Sequence, residues 1–568
     1  MDLTEFRHQS DSSYCFSINE NTVVVRLAVA KRLSLSSVDV LYNDSSLYYK
    51  SQYREHMHIA HEDETFFYYE TRMKVKIPRF FYIFHISGEG SDVFYSESGL
   101  TPSYNFNLAF LSAFSYNGEN CNDYGLAPKS WQGRLVYQVF PERFACRGNP
   151  KEKPYVNRAW DSEKLKLNHQ AFLGGDLWGL VDKLDYLHSL GVGVLYMTPV
   201  HPSPSNHKYD VLDYFDIDPN FGGKEAFMHL INKAHELGMK VMMDLVFNHM
   251  SSSHPFFLDV IEKGRASKYF DWFFIDGDKP TKSPLNYRCF SFVSSMPKLN
   301  TNNPEVRDYL ISVGKYWIEE FGVDGYRLDV ADAVSHDFWI RFKIALKDIH
   351  PDVLLIGENW HNSESFVGPD QLDGVMNYPF LGAVSCYLLQ IKSAYETRLL
   401  LDGLLMRYKD SNNHMMLNIL SSHDVQRFMN LVRCDKNLVL MGFAMLMFYP
   451  GFPMVYYGEE LFMEGGADPD NRRGMAWERV GGDDFYIKRF ADIMRLRKHE
   501  SLKKGEICLK NNGDMLEIRR YTDGETLVLY LNRTDNPILV PNKGEEVLSN
   551  HYAGDTLYSK GFLVQKEK

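Results

Sequence analysis

The chain has 568 residues, too many for one ordinary domain, and a composition (44% hydrophobic, 24% charged) typical of a soluble globular protein of two or three domains. A net charge of −12, with no basic tract and no Cys/His metal-finger spacing, speaks against a nucleic-acid partner. Seven scattered cysteines without a C-x-x-C read as reduced thiols in a cytoplasmic protein, and the opening MDLTEFRHQSDSSY has neither the basic nor the apolar region of a secretory signal.

The first ~120 residues alternate in strand fashion. Val23-Val24-Val25-Arg26-Leu27 and Met73-Lys74-Val75-Lys76-Ile77 are examples, and aromatic runs such as Phe80-Phe81-Tyr82-Ile83-Phe84 continue the style. Many strand signals and few helical periods predict a β-sandwich over residues 1–122.

From about Gly133 short apolar strands alternate with amphipathic helices. Strands are expected at 135–140, 192–200, 241–247, 325–330, 353–358, 372–378, 416–422 and 453–458. Helices are expected at 177–191, 226–240 and 306–322, the first closing on a Gly cap. Eight such units predict a (β/α)8 barrel within residues 123–500. Between Phe247 and the helix near Val306 lie ~55 residues where a βα loop normally has 2–6, so residues 250–303 form an excursion domain over the barrel mouth. The stretch Leu438–Tyr457 is long enough for a membrane span, yet Pro450, Gly451 and Pro453 cut it, so it reads as a buried helix, a turn and a buried strand. After Leu502 strands return (MLEIRRY, TLVLYLN, EEVLSN, GFLVQ), giving a C-terminal β domain at 501–568.

In a barrel of this kind the C-terminal ends of the strands carry the chemistry. The third strand ends Asp244-Leu-Val-Phe-Asn248-His249, the fourth carries Arg327-Leu-Asp329, the fifth ends Gly357-Glu358 and the seventh runs into Ser422-His423-Asp424. Singly, Asp244 reads as a capping residue and His249 and His423 as structural histidines, while Arg327 and Asp329 read as an ordinary ion pair. Their coincidence on one mouth has no structural explanation. Paired carboxylates suit glycoside hydrolysis, which needs a proton donor at the leaving oxygen and a second carboxylate at the anomeric carbon. Arg327 shares a strand face with Asp329 and would hold it ionised. Glu358, close to Trp360 and to a second acid such as Asp424, would stay protonated.

DLVFNH (244–249), GYRLDVADAV (325–334), IGENW (356–360) and LSSHD (420–424) resemble, in order, the four standard regions of the α-amylase superfamily, glycoside hydrolase family 13. MPKLN (296–300) is similar to the neopullulanase, cyclomaltodextrinase and maltogenic amylase group, and the resemblance covers nearly the whole chain. It implies that Asp329 is the nucleophile, Glu358 the general acid/base and Asp424 the third carboxylate, which distorts the sugar. It also implies substrate contacts from Asp244, His249, Arg327, His423 and the stacking Tyr209, from Phe290 and Trp360 on the leaving-group side, and from Asp468 and Arg472 on the non-reducing side. The implied activity is α-1,4 cleavage of maltooligosaccharides, cyclodextrins and pullulan, and the implied assembly is a homodimer whose N-terminal module narrows the partner's site.

Two departures stand out. The group carries Val-Ala-Asn-Glu after the nucleophile, where this chain has Val330-Ala331-Asp332-Ala333, on the acceptor side. The resemblance also implies calcium in the loop after the first strand, which here reads Ala-Cys-Arg-Gly-Asn149-Pro-Lys-Glu-Lys153. A lysine-rich loop is a poor home for a hard cation that takes six to eight oxygens. Asn149, Gly174 and Asp176 remain as candidate ligands, and the expectation is of no tight calcium and no required cofactor. Two rival readings are a transglycosylase on the same scaffold, in which a sugar hydroxyl replaces water, and a non-catalytic interaction protein. The second conflicts with the presence of all three carboxylates and the lack of a convincing anchor.

Overall fold

A computed structural model describes residues 1–88, 90–119, 128–160, 168–541 and 544–567. Cys121 and the expected boundary at 122/123 lie outside the described residues; the six described cysteines are free thiols. The chain forms two compact units, one built on the N-terminal sheets together with 367–369 and 393–413, the other on the barrel and the C-terminal sheet.

The N-terminal unit is the predicted sandwich. One antiparallel sheet runs Phe6–Arg7, Thr22–Ala30, Phe66–Lys74, His58–Glu62, with Cys15–Asn19 also on Thr22–Ala30. The other runs Gly99–Thr101, Ser91–Ser96, Arg79–Gly88, Leu35–Asp44, Tyr53–His56, with Phe114–Asn117 on Arg79–Gly88. Alternate residues of both sheets, among them Val23, Val25, Leu27, Val38, Val40, Phe80, Tyr82 and Phe84, fill one core. Within this unit the buried Arg26 donates to Glu70 Oε2 at 2.8 Å and Asp410 Oδ1 at 2.6 Å, and Arg398 donates to Glu62 Oε1 at 2.6 Å.

In the second unit eight parallel strands close a barrel: β1 (Leu135–Val139), β2 (Val192–Met197), β3 (Lys240–Leu245), β4 (Gly325–Leu328), β5 (Leu354–Gly357), β6 (Gly374–Asn377), β7 (Leu417–Asn418) and β8 (Phe452–Tyr456). Each matches an expected strand, but all eight are shorter at their C-terminal ends. The backbone leaves the ladder there to turn functional groups into the mouth; after β4 it does so at Val330, whose φ of 44° is left-handed. β7 has only two ladder residues, and side-chain amides add ties to its neighbours: Asn377 donates to Asn418 Oδ1 at 2.8 Å, and Asn418 to the Pro450 carbonyl at 2.6 Å.

The helix expected at 177–191 is broken into Leu177–Val181 and Leu184–Ser189. The Lys183 N–H bonds the Leu180 carbonyl at 3.0 Å, a tightened turn that ends the first helix. The helix expected at 306–322 spans Pro304–Phe321, capped by Asn303 at one end and by left-handed Gly322 at the other. Leu438–Tyr457 holds all but the first two residues of a buried helix, Lys436–Phe448, then a turn at Gly451 (φ 112°) and β8. Among the described residues no helix is long and apolar enough to cross a membrane.

Residues 250–303 contain one helix, Pro255–Lys263, short 3-10 turns and isolated antiparallel bridges, of which His249 to Lys298 ties the excursion to the end of β3. The C-terminal domain is an antiparallel sheet ordered Glu506–Asn512, Met515–Thr522, Glu525–Asn532, Thr556–Glu567, Ile538–Leu539, with Gly544–Ala553 on Thr556–Glu567. Arg520 fastens it to the barrel, donating to the Phe448 carbonyl at 2.8 Å.

Candidate active site

Arg327 is the centre of the mouth. It lies on β4 with no exposed surface, and four carboxyl groups from four strand ends surround it. Its Nη1 donates to Asp329 Oδ1 at 2.8 Å and to Asp244 Oδ2 at 3.0 Å. Its Nη2 lies 2.9 Å from Glu358 Oε2 and 3.9 Å from Asp424 Oδ2. The contact with Glu358 is close but poorly aligned, so it is an ion pair rather than a directed hydrogen bond.

Backbone strain completes the cradle. Left-handed geometry is costly for a β-branched residue, on the order of 1–3 kcal/mol. At Val330 it turns the N–H onto Glu358 Oε2, at 3.0 Å. Glu358 Oε1 accepts from the Trp360 indole at 3.1 Å, and Trp360 lies flat on Tyr378 with ring centroids 4.0 Å apart.

On the other side Tyr209 donates to Asp244 Oδ2 at 3.0 Å and meets His423 Nε2 at 2.5 Å, the two rings parallel to within 5°. The Gln138 amide donates to His423 Nδ1 at 2.9 Å, which places the imidazole hydrogen on Nε2, facing Asp424 Oδ2 at 3.1 Å. Arg472 donates to the His423 carbonyl at 2.8 Å and pairs with Asp468 at 2.9 Å and Asp424 at 3.5 Å. Phe290 stacks on His249 at 5.1 Å. The structure thus joins Asp244, Asp329, Glu358, Asp424, Tyr209, His423, Arg472, Asp468 and Trp360 in one network around Arg327, with His249 and Phe290 a stacked pair at the end of β3.

The charges do not balance. Four carboxyls face one buried guanidinium, with Arg472 at the rim, an arrangement that raises the proton affinity of Asp244, Asp329 and Asp424. Burial pushes the Asp244 carboxyl up to about 6 against the pull of Arg327. Contrary to the expectation that Arg327 holds Asp329 ionised, burial pushes Asp329 upward, reinforced by Glu358 and Asp244, and Arg327 opposes the shift without cancelling it. Asp424 moves the same way, but its side chain keeps 25% of its exposure, so water softens the effect. Burial lowers His249 to about 3 and takes His423 well below its ordinary value, with Arg327 adding to the second shift, so both imidazoles are neutral near pH 7. An acid-rich, largely buried cluster with neutral imidazole and phenol donors suits a reaction in which one carboxyl gives a proton while another faces developing positive charge.

Several contributors escaped the sequence. Tyr196, at the end of β2, donates to Asp244 Oδ2 at 2.8 Å, and Asn471 holds the His423 carbonyl at 2.8 Å. Lys298, within the MPKLN run, bonds Asn248 Oδ1 and donates to the Ala333 carbonyl at 2.7 Å, joining the end of β3 to the turn after Asp329. Gln138 had a visible signal, a polar residue inside an apolar strand.

The three candidate metal ligands lie apart from this cluster, in the loop after β1. Lys153 donates to the Gly174 carbonyl at 2.7 Å and bonds Asp176 Oδ2, while Asn149 caps its own short turn.

The α-amylase catalytic-domain model matches residues 138–495, and the model of the α-amylase N-terminal ig-like domain matches residues 1–116. Neopullulanase 2 of Thermoactinomyces vulgaris is 36% identical, over 97% of this chain and 95% of its own. The intracellular maltogenic amylase of Bacillus subtilis is 35% identical, over 94% of this chain and 91% of its own. A solved cyclomaltodextrinase superposes with a TM-score of 0.91 at 32% identity, covering 100% of both chains. The chain therefore belongs to the α-amylase family of glycoside hydrolases.

Proposed function

We propose that the chain is a retaining α-glucan hydrolase that opens α-1,4 bonds in maltooligosaccharides and cyclodextrins, and in pullulan, through a covalent glycosyl-aspartate. The observation that carries this reading is the Arg327 cluster: Asp329 and Glu358 touch the two terminal nitrogens of one guanidinium at 2.8 and 2.9 Å. That arrangement favours the short carboxyl spacing of retaining enzymes, about 5–5.5 Å, over the wider gap that leaves room for water.

In the proposed sequence Asp329 attacks the anomeric carbon as Glu358 protonates the departing oxygen. Glu358 then takes a proton from water, whose oxygen displaces the aspartate. Asp424, His423 and Tyr209 grip the sugar at the cleavage point, Asp468 and Arg472 the non-reducing side, and Phe290 and Trp360 the leaving-group side. The names of the relatives support these substrate classes, and a sugar acceptor in place of water makes the same intermediate a transglycosylase.

The experiment is product analysis on β-cyclodextrin, maltotetraose, pullulan and soluble starch, with Asp329→Asn as the blank and the first-formed anomer read by NMR. Fast cyclodextrin opening, slow starch attack and an α-anomeric product are expected. A β-anomer refutes retention, and larger-than-substrate products at high sugar concentration favour transfer. We further propose a cytoplasmic homodimer in which residues 1–122 narrow the partner's barrel mouth, residues 123–500 carry the site and residues 501–568 form the C-terminal domain. Light scattering tests the dimer.

A further inference from the structure

The loop after β1 is where the resemblance implies calcium, and the residues there do not fit one. Asp176 Oδ1 accepts the Gly179 N–H at 2.6 Å, capping the helix Leu177–Val181, and the Arg147 N–H at 3.3 Å. Asp176 Oδ2 is bonded by the Lys153 ammonium and faces the Cys146 thiol at 3.8 Å. The Gly174 carbonyl accepts from the same ammonium at 2.7 Å. Asn149 Oδ1 accepts the Lys151 N–H at 3.1 Å. The oxygens a hard divalent ion would need are engaged, and a cation on a four-carbon tether already sits on two of them. Among the described residues no group of three or more His, Cys, Asp or Glu is arranged to hold a metal.

We infer that Lys153 supplies this loop's own cation: its ammonium does the structural work of a bound calcium ion and makes the fold independent of divalent metal.

The clip reaches toward the mouth. Gly174 N–H donates to Glu142 Oε1 at 2.6 Å, and Arg143 donates to the Ala171 carbonyl at 2.6 Å. Asn206 donates to that carbonyl at 2.8 Å and to the His169 carbonyl at 2.9 Å, three residues before Tyr209. Lys153 is therefore a positioning residue for the Tyr209 loop, and this last step rests on the proposed role of Tyr209.

Thermal unfolding of the wild type, stripped with EDTA or supplied with millimolar calcium, needs no variant. The two midpoints are expected to agree within about 1 °C, and a midpoint that rises with calcium or falls with EDTA overturns the inference. Lys153→Met should lose roughly 5 °C, since it leaves Asp176 a buried charge without its partner. Asp176→Asn in that background should cost little more, because the two side chains act as one unit. A Lys153→Met midpoint equal to wild type also overturns it. If Tyr209 is positioned through the clip, Lys153→Met raises KM for maltotetraose several-fold with kcat within about two-fold. An unchanged KM with a lowered midpoint refutes the link to Tyr209, and a protein inactive on every glucan yet calcium-independent refutes the proposed function and not the clip.

Discussion

The barrel mouth and the loop after β1 both place carboxylates against a cation, and they differ in balance. At the mouth one guanidinium meets Asp329, Asp244, Glu358 and, farther off, Asp424. In the loop one ammonium meets one carboxylate and one carbonyl. Burial is heavy at both places, with Asp176 only 5% exposed and Asp329 likewise 5%. What separates reactive from structural electrostatics here is thus the excess of acid over base. A matched pair has no proton to give, and a surplus of carboxyls around one cation keeps protons in the site for transfer.

Removing an acid from the surplus should have the largest effect. Asp329→Asn and Glu358→Gln are each expected to lower kcat by ~10⁴-fold or more, with oligosaccharide affinity by calorimetry largely kept. Near-normal turnover in Glu358→Gln takes Glu358 out of the reaction. Changing the shared cation is the next step down. Arg327→Lys keeps the charge but cannot reach two acids on two nitrogens, so kcat/KM should fall by about 10²–10³. Without its fork Asp329 ionises less readily, and the acid limb of the pH–rate profile should move to higher pH. A limb that stays in place means Arg327 does not govern that ionisation.

Much of the mouth was readable because barrel topology sends short motifs to one end. Arg327 and Asp329 share a face by strand alternation, and the expected and observed strands agree in number and order. What stayed hidden depends on partners distant in sequence. Tyr196 matters only because β2 lies beside β3, and Tyr378 only because its ring supports Trp360 at 4.0 Å. The left-handed Val330 leaves no mark, since valine is among the residues least suited to that conformation. The break at Lys183 was missed because the apolar period continues through it. The lysine-rich loop argued in sequence against a hard cation, but that Lys153 reaches Gly174 and Asp176, more than twenty residues on, required the folded chain.

The smallest expected effect tests the comparison where burial and balance pull apart. Glu459, just after β8, is completely buried, with Oε1 3.6 Å from Arg427 Nη1 and 3.4 Å from the Phe428 N–H. Arg427 is itself held by the Tyr457 carbonyl at 2.7 Å and lies over the Tyr456 and Tyr457 rings, while the neighbouring Glu460 accepts from Tyr137 and Tyr186. Burial pushes Glu459 up to about 7, opposed by Arg427 and Ser421 and reinforced by Glu460. Its folded value lies above its unfolded one, so its contribution to stability is complete below the unfolded value and is lost as pH rises through about 7. Glu459→Gln removes that titration. Relative to the variant, the wild type should lose at most about 3 kcal/mol between about pH 5 and about pH 8, read as a difference in unfolding midpoints. The clip is the control: burial pulls the Lys153 ammonium down, Asp176 and its neighbours pull it up, and the net shift is upward, away from this window. The double variant Lys153→Met/Asp176→Asn, which removes both members of the clip, should therefore run parallel to the wild type across the same range while Glu459→Gln diverges. Parallel curves for both would mean that Arg427 already holds Glu459 ionised, and that this buried acid belongs with the matched clip rather than with the proton-rich mouth.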